Sequence, residues 1–324
     1  MAEGLDVWYR QGFMARSKRK VLNAPYAAMI NHASFFIQLV IASIPIWLVT
    51  FTPIGAQQPA PAESGYLEPP QNIVNIVDAA PTPTALISPD RNVLALIERG
   101  SAPSINWLAR PMHRLSGYRI DPRNSGPWNA PNIVAIEIIP LDNGNSEAPA
   151  RMKTRVVAPR GTTLGWPRFS PDGTHLSYAV VRDTGIELWV VDLSSRQPRP
   201  LTSASLNATW GNPCEWLSDT SGVLCRFRMS ARGTPPDPPL VPTGPNVQVS
   251  NGRRSTVRTY QDLLSSPYDE ALFEYHFTSQ IATVTLATGS RTAVGEPGMY
   301  ARVTAAPDTK YFLIERVTTP WSWL

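Results

Sequence analysis

Nucleophilic or metal chemistry in this chain would have to come from two cysteines, four histidines and the serines. A serine nucleophile on a strand-to-helix elbow needs Gly-x-Ser-x-Gly, because the glycines let the backbone turn sharply beneath the hydroxyl. Gly161 and Gly165 are the sole glycines at that spacing, and they enclose Thr163. His32, His113, His175 and His276 are scattered, and no His/Cys set has zinc spacing. No phosphate-cradling or dinucleotide-binding glycine pattern occurs. His175 lies in a β-rich run and reads as structural. No catalytic constellation emerges, and neither metal nor cofactor is expected. Cys214 and Cys225 flank the turn Ser218-Asp219-Thr220-Ser221 symmetrically. An antiparallel hairpin in that register places them opposite one another. They form a disulfide in an oxidising compartment or remain two buried thiols.

The cysteine hairpin is one copy of a repeated unit, clearest over residues 166–202. Ser170-Pro171-Asp172-Gly173 is a turn with Pro at its second position and Gly at its fourth. Residues 175–181 and 186–193 are rich in β-branched and aromatic side chains. Flanked by 167–169 and 198–202, they make a four-stranded meander of about 40 residues, the size of one propeller blade. The turn recurs at Ser88-Pro89-Asp90-Arg91, at Ser218-Asp219-Thr220 and at Ala306-Pro307-Asp308-Thr309, each before an apolar strand. The second half recurs over 280–286. The expected fold is all-β: a β-propeller of four-stranded blades, about three and a half of them within residues 71–324. A β-sandwich with similar turns is the rival. The last hairpin begins at Tyr300 and would leave blade four half made at Leu324.

Two stretches depart from the repeat, at 100–131 and at 230–277. Insertions of that length in a turn-dense fold are often functional. The first holds a possible helical turn at 104–108. The second holds two expected short helices, at 259–264 and 268–275, with Asp269 and Glu270 near an N-terminus where they suit the helix dipole. A short strand is expected at 72–77, and further strands at 133–139 and 151–157.

The formal charge of +4 is concentrated at the start. Residues 1–56 hold five of the 29 basic and two of the 25 acidic residues, leaving 24 and 23 downstream. That near-balance gives no nucleic-acid footprint. Arg16, Lys18, Arg19 and Lys20 precede an uncharged apolar run at 33–51 containing Pro45, and Ile54-Gly55-Ala56 offers small residues for cleavage. Residues 1–56 therefore read as a signal peptide cleaved after Ala56, with an uncleaved anchor at 33–51 as the rival. Residues 57–70 read as a Pro/Ala-rich linker. Either way the remainder is exported, periplasmic or secreted, with the membrane met only through the N-terminal segment.

The insertions carry a resemblance. Ala79-Ala80-Pro81-Thr82-Pro83, the stretch 115–121 with Pro122-Arg123, Leu206-Asn207-Ala208-Thr209 with Asn212-Pro213-Cys214-Glu215-Trp216, and Arg258-Thr259-Tyr260-Gln261-Asp262 followed by Asp269-Glu270-Ala271-Leu272 resemble the N-terminal propeller of the prolyl oligopeptidase superfamily of serine peptidases, in its glutamyl endopeptidase-like branch. The resemblance covers about residues 70–324. It implies a propeller that caps an α/β-hydrolase domain, the domain that holds the Ser-Asp-His triad. No catalytic residue is carried over to this chain. What carries over is a substrate-gating role, with peptides and the hydrolase domain as partners. If the family's preference for acidic side chains applies, Arg253, Arg254 and above all Arg258 are the candidates to meet a substrate carboxylate through a forked contact. The alternative is a free-standing periplasmic binding propeller of the Tol-Pal type, which shares the Ser-Pro-Asp turns. Cys225 is not a cysteine position the family leads one to expect.

Overall fold

The computed structural model describes residues 69–103, 105–141, 153–241, 252 and 261–319. It opens with helix α1 (Gln71–Val77), where a strand was expected. The reason is visible in Ile73-Val74-Asn75-Ile76-Val77: apolar pairs recur every third residue, which suits a helix face and not a strand's alternation. No residue of α1 is buried, and Ile76 is 72% exposed.

Blade one is β1 (Thr84–Ile87), β2 (Val93–Arg99), and, after an excursion, β6 (Ile133–Pro140) and β7 (Thr154–Val157), paired antiparallel in that order. The excursion contains α2 (Ile105–Leu108) and a small sheet of β3 (His113–Leu115), β4 (Tyr118–Asp121) and β5 (Gly126–Pro127). Blade two is β8 (Thr163–Phe169), β9 (His175–Val181), β10 (Ile186–Asp192) and β11 (Pro198–Pro200). One residue pair, Ile133 with Leu164, joins it to blade one. Blade three is β12 (Cys214–Trp216), β13 (Gly222–Phe227), β14 (Thr278–Thr285) and the first part of β15 (Arg291–Ala305). Helix α3 (Pro267–Phe277) lies between β13 and β14. The second part of β15 pairs with β16 (Phe312–Val317) and begins blade four, so blades three and four share one open sheet.

Period-two alternation tells which neighbour each face meets. In β9, Leu176, Tyr178 and Val180 pack with Ala95, Ile136 and Ile138 of blade one. Ala179 and Val181 pack the other way, with Val223, Cys225 and Phe227 of blade three. In β13 and β14 the same split recurs: Leu224 and Ile281 join Tyr300 toward blade four. Blades two and three, packed face against face and each with two buried faces, show the propeller arrangement; a sandwich would bury one face of each sheet.

The repeated turn is the same object in all four copies. The backbone N–H of its first residue donates to the C=O five residues on, in Ser88 to Val93, Ser170 to His175, Leu217 to Gly222 and Ala306 to Tyr311. The fourth residue has positive φ each time: Arg91, Gly173, Thr220 and Thr309. The aspartate accepts from the backbone N–H two residues later, in Asp90, Asp172, Asp219 and Asp308. A carboxylate holding this bond fixes the turn and with it the register of the hairpin.

Helix α3 begins as its residues dictate. Ser266 caps it by accepting from the Asp269 N–H, Pro267 occupies the first turn, and Asp269 and Glu270 face the positive end of the dipole. Residues 261–264 are irregular, against the helix expected there; residues 259 and 260, like the leader, the linker and the candidate anchor at 33–51, lie outside the described residues. Among the described residues no helix is long and apolar enough to cross a membrane.

Candidate substrate-contact face

Successive connections in an antiparallel meander lie at opposite ends of the blade. The aspartate turns join first to second strands and therefore share one end. The connections from second to third strands share the other: residues 100–132 in blade one, 182–185 in blade two and 228–277 in blade three. Both insertions thus project from the same end, and there they pack together.

Their meeting is apolar at its centre. Leu115 and Ile120 of the small sheet are buried with Leu264, Leu272, Phe273 and Phe277. Trp210 and Tyr118 place ring edges on Phe277 at centroid distances of 4.8 and 5.3 Å. Polar contacts fix the register. The Gly117 N–H donates to Asp262 O at 3.2 Å, and Arg119 meets the Asp262 carboxylate at 3.3 Å. Asn207, fully buried, donates from its amide to His276 O and Thr278 O, at 2.9 and 3.1 Å. It ties the end of α3 to the loop between blades two and three.

Asp121 is fully buried and paired with two arginines. Arg123 donates to it from the backbone N–H and from two guanidinium nitrogens at 3.0, 3.1 and 2.9 Å, and Arg110 lies 3.6 Å away. Arg123 also reaches Asp183, in the blade-two turn, at 3.6 Å. Hydrogen bonding to Asp121 raises the Arg123 pKa, whereas burial lowers that of Arg110. The Asn124 side chain donates to Arg182 O at 3.0 Å and accepts from the Gly126 N–H at 2.9 Å. Gly126 packs closely here: a Cβ would lie 2.8 Å from Ile186 Cδ1 and 3.1 Å from Asn124 Oδ1, so both side chains would have to shift. The first insertion is therefore clamped to blade two by charge and close packing.

Helix α3 brings two further groups to this face. His276 is 1% exposed, its ring 5.3 Å from that of His113, and neither of its ring nitrogens has a hydrogen-bond partner. Burial, then the nearby His113 and Arg232, push its pKa down to about 3. Tyr275 donates its hydroxyl to Gly233 O at 3.1 Å and carries the Arg232 guanidinium 4.6 Å above its ring. At the root of the first insertion a cleft of about 310 Å³ is lined by Arg99, Gly100, Trp107 and Asn132 among others.

Of the residues singled out by sequence, Arg253, Arg254 and Arg258 lie outside the described residues. Cys214 and Cys225 face one another across β12 and β13, with Cα atoms 4.1 Å apart and the sulfurs bonded. The flanking pairs Pro213/Arg226 and Leu217/Gly222 hold the backbone hydrogen bonds, so the cysteines occupy a non-hydrogen-bonded pair, where side chains come closest. His113 and His276, scattered in sequence, come together. His175 donates or accepts at Thr174 Oγ1, 2.7 Å away, in a different part of the molecule. Among the described residues no group of three or more His, Cys, Asp or Glu side chains could hold a metal.

Sequence reasoning missed the small sheet and the arginines Arg228 and Arg232. The sheet had a signal: Ser116-Gly117, both with positive φ, form the two-residue turn of a tight hairpin.

Blades packed face to face, with two long insertions at one end, define this chain as a portion of a β-propeller. No protein-family model matches it. It is 32% identical over 274 residues to the probable glutamyl endopeptidase, chloroplastic, of Oryza sativa subsp. japonica, covering 81% of this chain and 29% of that protein. With the protein of the same name from Arabidopsis thaliana it shares 33% identity over 271 residues, covering 81% and 28%. The resemblance to the glutamyl endopeptidase-like branch of the prolyl oligopeptidase superfamily therefore extends over most of the chain, which spans less than a third of these relatives' length. The β-propeller domain of the Trilobed protease from Pyrococcus furiosus is similar in structure at 11% identity and a TM-score of 0.37, covering 76% of this chain and 53% of that one, too distant to carry a conclusion.

Proposed function

We propose that this chain is the non-catalytic, substrate-gating propeller portion of a serine peptidase that acts on peptides beside an α/β-hydrolase domain. The observation that carries the reading is the convergence of both insertions at one end of the blades, in a chain whose relatives are named as endopeptidases. Such an end can sit over a catalytic domain and restrict access to it, while the clamped Asp121 and Asn124 contacts keep the projecting elements rigid. Arg258, with Arg253 and Arg254, is proposed to meet acidic substrate side chains from the second insertion, as the relatives' name suggests. The test uses the full chain. A labelled acidic peptide should bind, while a serine-reactive fluorophosphonate probe should leave every serine unlabelled. Specific labelling of one serine, or absence of peptide binding, would overturn the reading.

We also propose export, through a leader ending at Ala56, and a Cys214–Cys225 bond formed afterwards. The basic run before the apolar stretch motivates the first, and the cross-strand pairing motivates the second. One intact-mass measurement on exported, unreduced protein checks both. The mass should correspond to a chain starting near Gln57 and lacking two hydrogens. Intact Met1 would contradict the leader, and two freely alkylated thiols would contradict the bond.

A further inference from the structure

A buried titratable group lies on the seam between the two insertions. His276, in the last turn of α3, is 1% exposed, and neither of its ring nitrogens has a hydrogen-bond partner. Its ring lies 5.3 Å from that of His113 on β3, the first strand of the small sheet. Each insertion thus contributes one histidine, and the pair belongs to the same interface as Leu115, Leu272 and Phe277.

A neutral imidazole suits this seam and an imidazolium does not. The charged ring carries two N–H donors and needs an acceptor for each. Burying it without them costs far more than burying the neutral form. Among the described residues the surrounding elements supply no acceptor of negative charge. The small sheet offers His113, which would be a like charge. The residues after β13 offer Arg232, stacked over the Tyr275 ring. On α3 itself the Tyr275 hydroxyl is turned to Gly233 O, and Glu274 is exposed. Asp262 is held by Arg119, and Asp269 accepts from Ser265 at the opposite end of the helix. Residues 204–210 and β14 carry no charged side chain, and β15 presents Met299. The C-terminal end of the α3 dipole favours a cation, but a partial charge does not replace two missing acceptors. Burial first, then His113 and Arg232, accordingly hold the His276 pKa down at about 3, and burial lowers that of His113.

What can open is set by what holds each side. The small sheet shares no strand pairing with any blade. It is fastened to blade two through Asp121, Arg123 and Asp183, and through the Asn124 side chain to Arg182 O. Helix α3 pairs with no strand either, and it meets the small sheet through apolar side chains and the two imidazoles. Parting α3 from the small sheet therefore breaks no ladder, whereas opening a blade breaks a whole row of backbone hydrogen bonds. The seam is the lower-cost opening.

We infer that His113 and His276 form an acid-released latch: protonation at the seam parts α3 from the small sheet while the blades stay folded. The parted seam exposes Leu115, Leu272 and Phe273 at the end of the blades that carries both insertions. That face therefore differs between neutral and mildly acidic solution. The latch needs neither a peptide nor a catalytic domain, and it is distinct from a general loss of stability, which would release every strand together.

The test is amide hydrogen exchange of the full chain across pH, expressed as protection relative to the unstructured rate at each pH. Residues 271–277 should lose about tenfold in protection between about pH 7.5 and about pH 5.5, the effect of one proton taken up only on opening. Their protection should respond little to low urea, because a local opening exposes little surface. Strand β9 should exchange more slowly and respond strongly. H276F should hold the protection of α3 level over that range, and H175Q, altered in blade two, should keep the tenfold fall. Far-ultraviolet circular dichroism verifies that H276F folds; if it does not, H276Q takes its place. Equal protection and equal urea response in α3 and β9 would reduce the effect to unfolding of the whole molecule and overturn the latch. So would a level profile in the parent, or a fall that survives in a folded His276 variant.

Discussion

Arg226→Leu should lower the unfolding free energy by about 3 kcal/mol, seen as a fall in urea midpoint at unchanged slope. Arg226 lies at the end of β13, 6% exposed, and among the described residues it forms no ion pair. Its guanidinium donates to Tyr300 O at 3.1 Å, to Ala301 O at 2.8 Å and to Asn212 O. Those carbonyls belong to β15 where it passes from blade three to blade four, and to the loop that enters β12. Burial pulls the Arg226 pKa down to about 10, which still leaves it charged at neutral pH. Leucine would remove a costly buried charge but would strand three carbonyls at the junction, each worth about 1–3 kcal/mol when left unpaired. The carbonyls win because they are more numerous and because leucine cannot fill the space of the fork. Arg226→Lys should recover part of the loss, since the ammonium keeps the charge but is a compact point donor without the planar fork that reaches three separate carbonyls. An unchanged midpoint in the leucine variant would show that the junction is held by its strand pairing alone.

Acid should weaken the fold well before its carboxylates protonate. The folded pKa of His276 is depressed to about 3 from an ordinary 6.5. The unfolded chain therefore binds the proton first, and stability is lost as pH falls below about 6.5, at up to about 1.4 kcal/mol per pH unit. Burial is the main cause. The groups around the ring reinforce it: His113 on β3, itself depressed by burial, and Arg232 beyond Tyr275. Neither offers a negative charge that would welcome an imidazolium. The carboxylates act later. Burial pushes Asp172 up, but hydrogen bonds from Ser170 and Thr174 outweigh it and hold the group at about 2, so its contribution is lost only as pH falls below the ordinary aspartate value. Between about pH 6.5 and 4.5 the slope belongs to the histidines, and His276→Phe should remove most of it. Urea unfolding at several pH values in that window decides the matter. The same slope in the variant and the parent would mean that His276 titrates normally.

Legibility in the sequence followed the range of the interactions. The aspartate turns were readable because everything that makes them is within five residues: a proline or serine, the carboxylate and the N–H it accepts. The start of α3 was readable to within a residue for the same reason, from Asp269 and Glu270, while its cap Ser266 and Pro267 came only with the structure. The opposition of Cys214 and Cys225 followed from counting outward from a turn. Helix α1 was misread because an apolar run was taken as a strand although its spacing was helical. The β3–β4–β5 sheet escaped because strands of a few residues show no alternation. What no local pattern could reveal was that Leu115 and Ile120 pack on Leu272 and Phe277, or that Arg119 reaches Asp262. Arg232 resembles any loop arginine until Ser125 and Tyr275 arrive from elsewhere in the chain.

The location of the contact face is most directly read by amide hydrogen exchange of the full chain with and without a saturating acidic peptide. Exchange should slow in residues 105–128, 204–209 and 267–277, the segments gathered at the end of the blades that carries both insertions. The aspartate turns at 88–92, 170–174, 217–222 and 306–311 should exchange as before. Protection of those turns, with none at the insertions, would place peptide contact at the opposite end and contradict the account.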